Sequence, residues 1–256
     1  MKTAQSLQSF FTETGAISRF VYRCFYELVR PRYEVRQFIR QCFLVGYRSL
    51  PLIGVTGFIM GLVLTMQLRP SLVAYGVVSK LPVMVCLAIV REIGPVISAL
   101  IFAGKISSSM GAELGSMKVT EQIDAMEVSG TNPFKFLVVT RVMASMLMLP
   151  VLTVLSDTIG LYGSYLGVNI RDHTSLSLFF FEVFNTLKFG DVLPAIIKTF
   201  FFGLAIGIIG CYKGYNSSNG TEGVGRAANS AVVVSSLVVF IIDLIAVQIT
   251  DVLGLN

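Results

Sequence analysis

The chain of 256 residues is 54% hydrophobic and only 14% charged, and its mean hydropathy is +0.75. Soluble domains carry about 25% charged residues, so this composition excludes an ordinary soluble protein and indicates five or six membrane spans with short loops. The formal charge of +5 is concentrated before residue 50, as expected beside anionic lipid headgroups, and we do not expect nucleic-acid binding.

Residues 1–48 are predicted to form a basic region on the cytoplasmic side, containing an amphipathic helix that lies in the membrane interface. Phe10, Ile17, Val21 and Phe25 recur at helical spacing, with arginines between them. The run at residues 30–32 (Arg-Pro-Arg) is expected to end this helix.

Residues 49–256 are predicted to form a five-span domain. The apolar stretches cover about residues 51–68, 81–103, 136–168, 192–212 and 230–253. The expected fold is therefore an all-α membrane protein with five transmembrane helices after an N-terminal amphipathic interfacial helix. With the N-terminus inside, about 13 basic residues fall on inside segments and about four outside, which places the N-terminus in the cytoplasm and the C-terminus in the periplasm.

Charged residues interrupt the apolar stretches, and four of them stand out. Arg91 and Glu92 lie in the second, Lys198 in the fourth and Asp243 in the fifth. Unpaired, they would cost about 10–14 kcal/mol together near the bilayer centre, which exceeds the stability of most domains. Because their charges sum to zero, we expect them to face each other or a wet cavity. The set is either a clamp that holds the bundle together or a coupling or gating network, and a proton relay is a weaker alternative.

Small residues recur on one face of the chain after the second stretch. Ala103, Ser107, Gly111 and Gly115 are four residues apart. A small residue on one face at each turn allows helices to approach closely, so this segment is predicted to pack against a neighbouring helix.

A short acidic helix is predicted near residues 120–130, between the second and third spans. Thr120 is expected to cap it, and Glu121 and Asp124 suit the positive end of its dipole. Gly130 and Pro133 are expected to end it. This helix is either an ordinary ordered loop or a plug for a groove on a cytoplasmic partner.

No catalytic or metal-binding constellation appears in the sequence. The single histidine, His173, lies in a predicted loop, and Ala99 stands where a phosphate-binding GxxxxGK[ST] loop would need its first glycine. Any ATP would therefore be hydrolysed by another chain, and we expect no cofactor and no metal here. The cysteines lack metal-type spacing and are expected to be inert thiols: Cys24, Cys42, Cys86 and Cys211.

Two long motifs resemble the MlaE/YrbE permease family, to which the chloroplast lipid-import permease also belongs. Residues 91–133 read REIGPVISALIFAGKISSSMGAELGSMKVTEQIDAMEVSGTNP and resemble its signature. Residues 223–245, GVGRAANSAVVVSSLVVFIIDLI, resemble its last span. The resemblance covers about residues 43–253, and its motifs occur together and in order.

The resemblance implies a non-catalytic permease subunit of a lipid transporter in the bacterial inner membrane. Such a subunit works as a homodimer and moves phospholipid or a related lipid between the inner and outer membranes. Its implied partners are a cytoplasmic ABC ATPase, which binds the ATP, a periplasmic MCE-domain hexamer and a possible STAS-domain subunit.

The resemblance also implies roles for particular residues. A lipid pocket at the dimer axis would be lined by Leu64, Gln67, Leu72 and Tyr75. The ionic network of the family maps to Glu92, Lys198 and Asp243, which the desolvation argument identifies together with Arg91. The segment that docks on the ATPase maps to Glu121, Gln122, Asp124, Met126 and Glu127.

Two other classes of function fit the sequence. A secondary transporter or channel would use the four intramembrane charges as an ion path and would work without an ATPase, although no inverted repeat is visible between the halves. A structural membrane anchor would only assemble other subunits. The predicted cytoplasmic helix and the missing phosphate loop favour the ABC permease over both.

Overall fold

A computed structural model describes residues 2–30, 34–170, 174–218 and 220–254, with side chains from residue 15 onward, and these ranges contain no β-strand. Pro31, Arg32 and His173 lie outside them. The α-helices are α1 (Lys2–Val29), α2 (Val35–Ala74), α3 (Leu81–Ala88), α4 (Gly94–Phe102), α5 (Ser108–Val119), α6 (Gln122–Val128), α7 (Thr140–Asn169), α8 (Leu176–Thr186), α9 (Phe189–Tyr215) and α10 (Thr221–Val252). Three π-helical segments, Ile89–Ile93, Ala103–Ser107 and Phe134–Val139, and one 3-10 turn, Val78–Lys80, join some of them.

Five helical runs in the described ranges are long and apolar enough to cross a membrane: Val35–Ala74, Val78–Val119, Phe134–Asn169, Phe189–Tyr215 and Thr221–Val252. The predicted all-α membrane fold, with five spans after an N-terminal helix, is therefore confirmed. Successive runs alternate in direction. We call the end of the bundle that carries α6 the α6 end, and the opposite end, which carries α8, the α8 end.

Several helices extend beyond the predicted spans. The first begins at Val35, so the boundary proposed at residue 48/49 falls inside one continuous helix. The second runs to Val119 instead of residue 103, and only residues 216–220 separate α9 from α10. The prediction followed apolarity, which ends where the hydrocarbon ends, whereas backbone hydrogen bonding continues through polar turns beyond it.

Small residues bring α2 and α7 into close contact. A Cβ atom on Gly57 would lie 2.7 Å from the Ser156 carbonyl oxygen, and one on Gly160 would lie 3.1 Å from the Gly57 carbonyl oxygen. Farther along, the Thr65 hydroxyl donates to Ser164 Oγ at 2.8 Å. The two backbones therefore pack without intervening side chains, as small residues allow in membrane helices.

The predicted small-residue stripe also packs closely. A Cβ on Gly111 would lie 3.1 Å from Ala228 Cα in α10, and one on Gly210 in α9 would lie 3.1 Å from Ser107 Cα. The segment around α5 therefore sits against both α9 and α10, and the expectation of close packing is confirmed.

Helix α1 packs its apolar face against the α6 end of the bundle. The Phe20 ring meets Phe134 edge-on at 5.0 Å and Tyr212 at 5.4 Å between ring centroids. The Arg23 guanidinium lies 4.4 Å from the Phe134 ring centroid. Beside Phe20, burial raises the pKa of the Cys24 thiol to about 11. The aromatic contacts thus fix α1 on the bundle.

The start of α6 differs from the prediction. Thr120 does not cap this helix, because its hydroxyl donates back to the Ser116 carbonyl at 2.8 Å in α5. Glu121 precedes α6 instead, with a left-handed φ of 58°, and its side chain makes no capping bond. Gly130, with a φ of 77°, follows the helix, as predicted.

Candidate functional site

An ion-pair cluster lies in the apolar region between three helical segments. Lys198 of α9 places its Nζ 2.8 Å from Glu92 Oε2 and 3.0 Å from Asp243 Oδ1 of α10. The Lys198 side chain is 5% exposed, whereas Glu92 is 48% exposed. The structure therefore brings together three of the four intramembrane charges that the sequence singled out.

Arg91, the fourth residue, has a different partner. Its guanidinium contacts Asp191 through both Nε, at 2.8 Å from Oδ1, and Nη2. Asp191 is buried and also accepts the Lys188 backbone N–H at 2.9 Å in the first turn of α9. Asp191 was not among the predicted charges, because it lies just before the predicted fourth span, which begins at residue 192. An acid two residues after a helix start was the available signal.

The backbone around residues 89–93 explains how two adjacent residues reach two partners. Arg91 and Glu92 lie in the π-helical segment Ile89–Ile93, a local widening that is frequent at functional sites. Asp191 and Lys198 are seven residues apart on α9, which places them on one face about 10 Å apart along the axis. The segment therefore presents one charge to each of two turns of α9.

Two cavities adjoin this cluster. A polar cavity of about 30 Å³ is bordered by Arg91, Glu92, Asp191 and Lys198, and it has room for a water molecule. A groove of about 410 Å³ runs beside it between α9 and α10, with Lys198 at its margin. Its other lining is almost entirely apolar and includes Leu193, Ile197, Phe201, Ile242, Ile245 and Ile249. The site therefore combines a charged centre with an apolar trough.

Two further charges inside α7 were missed by the sequence reading. Arg141 is 2% exposed, and its Nη2 lies 2.9 Å from Glu113 Oε1 of α5. Asp157 lies against Gly94, and its Oδ1 has no hydrogen-bond partner in the part of the chain that the structure describes. Both residues lie inside the predicted third span, so the desolvation argument would have found them there.

The predicted lipid-pocket residues occupy different environments in one copy of the chain. Leu72 is buried in a core cluster, and Leu64 packs against that cluster. Gln67 is exposed, and Tyr75 at the end of α2 is 81% exposed. A single chain therefore does not enclose these four side chains in one cavity, and their pocket at a dimer axis stays a prediction.

The predicted docking segment forms an exposed acidic helix at the α6 end. Ile123 is buried in the main core and anchors α6, and Met126 packs partly against that core. The remaining residues of the predicted docking segment are exposed: Glu121, Gln122, Asp124 and Glu127.

These features define a polytopic helical membrane protein with an intramembrane ion-pair cluster beside an apolar groove. The family model described as Permease MlaE matches residues 38–249. The chain therefore belongs to the MlaE permease family, and the resemblance seen in its motifs is confirmed. With the five spans, family membership indicates a multi-pass inner-membrane protein.

The chain is similar to three curated relatives over most of its length. A probable ABC transporter permease protein of Rickettsia felis is 38% identical over 233 residues, 91% of this chain and 90% of the relative. One from Synechocystis sp. is 34% identical over 236 residues, covering 92% and 90%. The intermembrane phospholipid transport system permease protein MlaE of Haemophilus influenzae is 34% identical over 213 residues, covering 82% and 81%.

Proposed function

We propose that this chain is the membrane-spanning permease subunit of an ABC transporter that moves phospholipid between the inner and outer membranes. The observation that carries the proposal is the family match over residues 38–249, joined by 34% identity to a phospholipid transport permease. In this proposal the chain does no covalent chemistry, and a separate cytoplasmic ATPase binds and hydrolyses ATP.

The ion-pair cluster and its groove support a lipid as cargo. The groove between α9 and α10 has an apolar lining suited to an acyl chain, and the neighbouring charges suit a polar headgroup. Because one chain does not enclose the four predicted pocket residues in a single cavity, a symmetric homodimer is the simple way to enclose a two-tailed lipid. The exposed Gln67 and Tyr75 are then available to line the pocket at the dimer axis, which the family resemblance also assigns to Leu64 and to the buried Leu72.

The exposed face of α6 supports a docking role. Ile123 fixes the helix to the core, while Asp124 and Glu127 stay exposed for a partner. The positive-inside count puts this end in the cytoplasm, where the ATPase and a STAS-domain subunit would bind, and leaves the α8 end for a periplasmic MCE-domain hexamer.

Affinity purification of the tagged full-length chain in mild detergent tests this function. Mass spectrometry would identify the proteins and lipids that co-purify. We expect an ABC ATPase, an MCE-domain protein and phospholipid. Recovery of the chain alone would instead support a structural anchor or a secondary transporter driven without ATP. A matched purification of an unrelated five-span protein with the same tag controls for detergent-extracted bulk lipid.

A further inference from the structure

A second cavity, which we call the basic cleft, lies away from the ion-pair cluster. It has a volume of about 640 Å³ and opens between the first four turns of α2, the region of α5 and the start of α7. It is therefore near the α6 end of the bundle, and it is as large as cavities that hold drug-sized ligands. Its charged lining residues are Arg40, Arg48, Lys105, Arg141 and Glu113.

The charges in the basic cleft do not balance. Glu113 is already engaged with Arg141. Lys105 donates its Nζ to the Arg48 backbone carbonyl, which carries no charge. Within the described residues, the Arg40 and Arg48 side chains form no ion pair. Three cations therefore face the cleft without a carboxylate of their own.

Arg141 supplies a buried donor that also lacks a partner. Its side chain is 2% exposed and is held by Glu113 and by a 2.9 Å bond from Nη1 to the Leu137 carbonyl. Its Nε has no hydrogen-bond partner among the described residues. A buried donor left without a partner destabilises the chain, and more so when it is charged, so an anion bound at Arg141 would offset that cost.

The apolar residues that line the basic cleft limit the kind of ligand that it can bind. Val45, Ile106 and Met110 give the basic cleft an apolar floor between its cations. The planar guanidinium group of arginine can donate two parallel hydrogen bonds to phosphate oxygens. Basic pockets between transmembrane helices bind phospholipid headgroups. We propose that the basic cleft binds a phosphate-bearing anion. Its apolar floor favours the headgroup of an anionic phospholipid over a soluble phosphate compound.

This proposal does not rest on the transport function. The basic cleft shares no lining residue with the groove between α9 and α10, or with the pocket predicted from Leu64, Gln67, Leu72 and Tyr75. A chain that binds the anion but moves no lipid would support the basic cleft and count against transport.

Calorimetric titration of the full-length chain in a non-ionic detergent tests the proposal. Four probes separate the possible sources: dihexanoyl phosphatidylglycerol, dihexanoyl phosphatidylcholine, glycerol 3-phosphate and inorganic phosphate. The test variant is Arg40→Gln/Arg48→Gln, which removes two exposed cations. The matched control is Arg36→Gln, which removes an exposed cation from the same helix outside the cleft.

We expect the anionic short-chain lipid to bind the wild-type chain, and its Kd to rise roughly 25-fold in the double variant, since each lost cation is worth about fivefold. Arg36→Gln should leave the Kd within about twofold. If glycerol 3-phosphate or inorganic phosphate binds as tightly as the anionic lipid, and its Kd rises as much in the double variant, the ligand of the basic cleft is a soluble phosphate compound.

Three results would overturn the proposal: no saturable binding of any phosphate probe, the same Kd in the wild type and the double variant, or an equal loss in Arg36→Gln. Circular dichroism of each variant confirms folding. If the double variant does not fold, Arg40→Gln and Arg48→Gln are titrated singly, with a Kd increase of about fivefold expected for each.

Discussion

The Lys198 ammonium group lies 3.0 Å from the Asp243 carboxylate and joins α9 to α10 within the apolar part of both helices. Glu92 meets the same ammonium group at 2.8 Å, so one cation connects three helical segments. A buried ion pair adds little net stability, because desolvation of both groups offsets their attraction. Removal of one partner is costly, however, since the remaining charge stays buried without compensation.

Loss of Lys198 should therefore be more damaging than loss of Asp243. Lys198→Ala leaves two carboxylates beside each other and should destabilise the chain by about 3–5 kcal/mol, whereas Asp243→Ala leaves Lys198 its contact with Glu92. Thermal unfolding of the purified variants in detergent measures both effects. The double variant should lose less than the sum of the two single losses, because the residues are in contact. Additive losses would show that the pair is not coupled.

Replacement of the whole cluster separates a clamp from a coupling network. Glu92→Leu/Lys198→Met/Asp243→Leu removes all three charges, so no buried ion is left alone and the variant should fold with near wild-type stability. If the cluster couples ATP hydrolysis to transport, as we expect, this stable variant will not move phospholipid in proteoliposomes that contain the ATPase. Retained transport would show instead that the charges only hold the bundle together.

The α2–α7 contact predicts a sharp difference between two glycine substitutions. Gly57→Ala places a methyl group against the Ser156 backbone and should destabilise the chain by about 1–3 kcal/mol, because α2 and α7 must separate. Gly225→Ala, in α10, meets nothing within 4 Å and should be neutral or slightly stabilising. Thermal unfolding of the two variants in one detergent tests this. Equal midpoints would contradict the packing.

The sequence predicted the spans and the charged residues better than it predicted their partners. Hydropathy and desolvation cost act along the chain, so Lys198 and Asp243 could be found without a structure. Arg91 pairs with Asp191 because of the orientation of α9 about its own axis relative to the π-helical segment. No local sequence pattern encodes that orientation. Thr120 illustrates the same limit of sequence-based prediction over a short distance. Its hydroxyl could either cap α6 or donate to the Ser116 carbonyl in the preceding helix, and it does the latter.

Charge reversal on α6 should abolish ATPase binding without harming the fold. Asp124→Lys/Glu127→Lys changes two exposed side chains and leaves the buried anchor Ile123 in place. We expect the thermal midpoint to stay within a few degrees and the ATPase to be lost from affinity-purified material. Glu182→Lys on α8, at the opposite end of the bundle, is the control and should retain the ATPase. Full ATPase recovery with the α6 variant would exclude this helix as the docking segment.

The contact between α1 and the bundle predicts an unreactive thiol at Cys24. Burial raises the pKa of this thiol to about 11, so roughly one molecule in a thousand carries the reactive thiolate at pH 8. Maleimide labelling of the folded chain, followed by mass spectrometry of Cys24 peptides, should therefore be slow near neutral pH and should accelerate as the pH rises from about 6.5 to about 8, because the thiolate fraction rises about tenfold per pH unit below the pKa. Chain unfolded in sodium dodecyl sulfate is the control and should be labelled rapidly. Equally rapid labelling of the folded chain would mean that α1 leaves the bundle, because only an exposed thiol with an ordinary pKa reacts in that way.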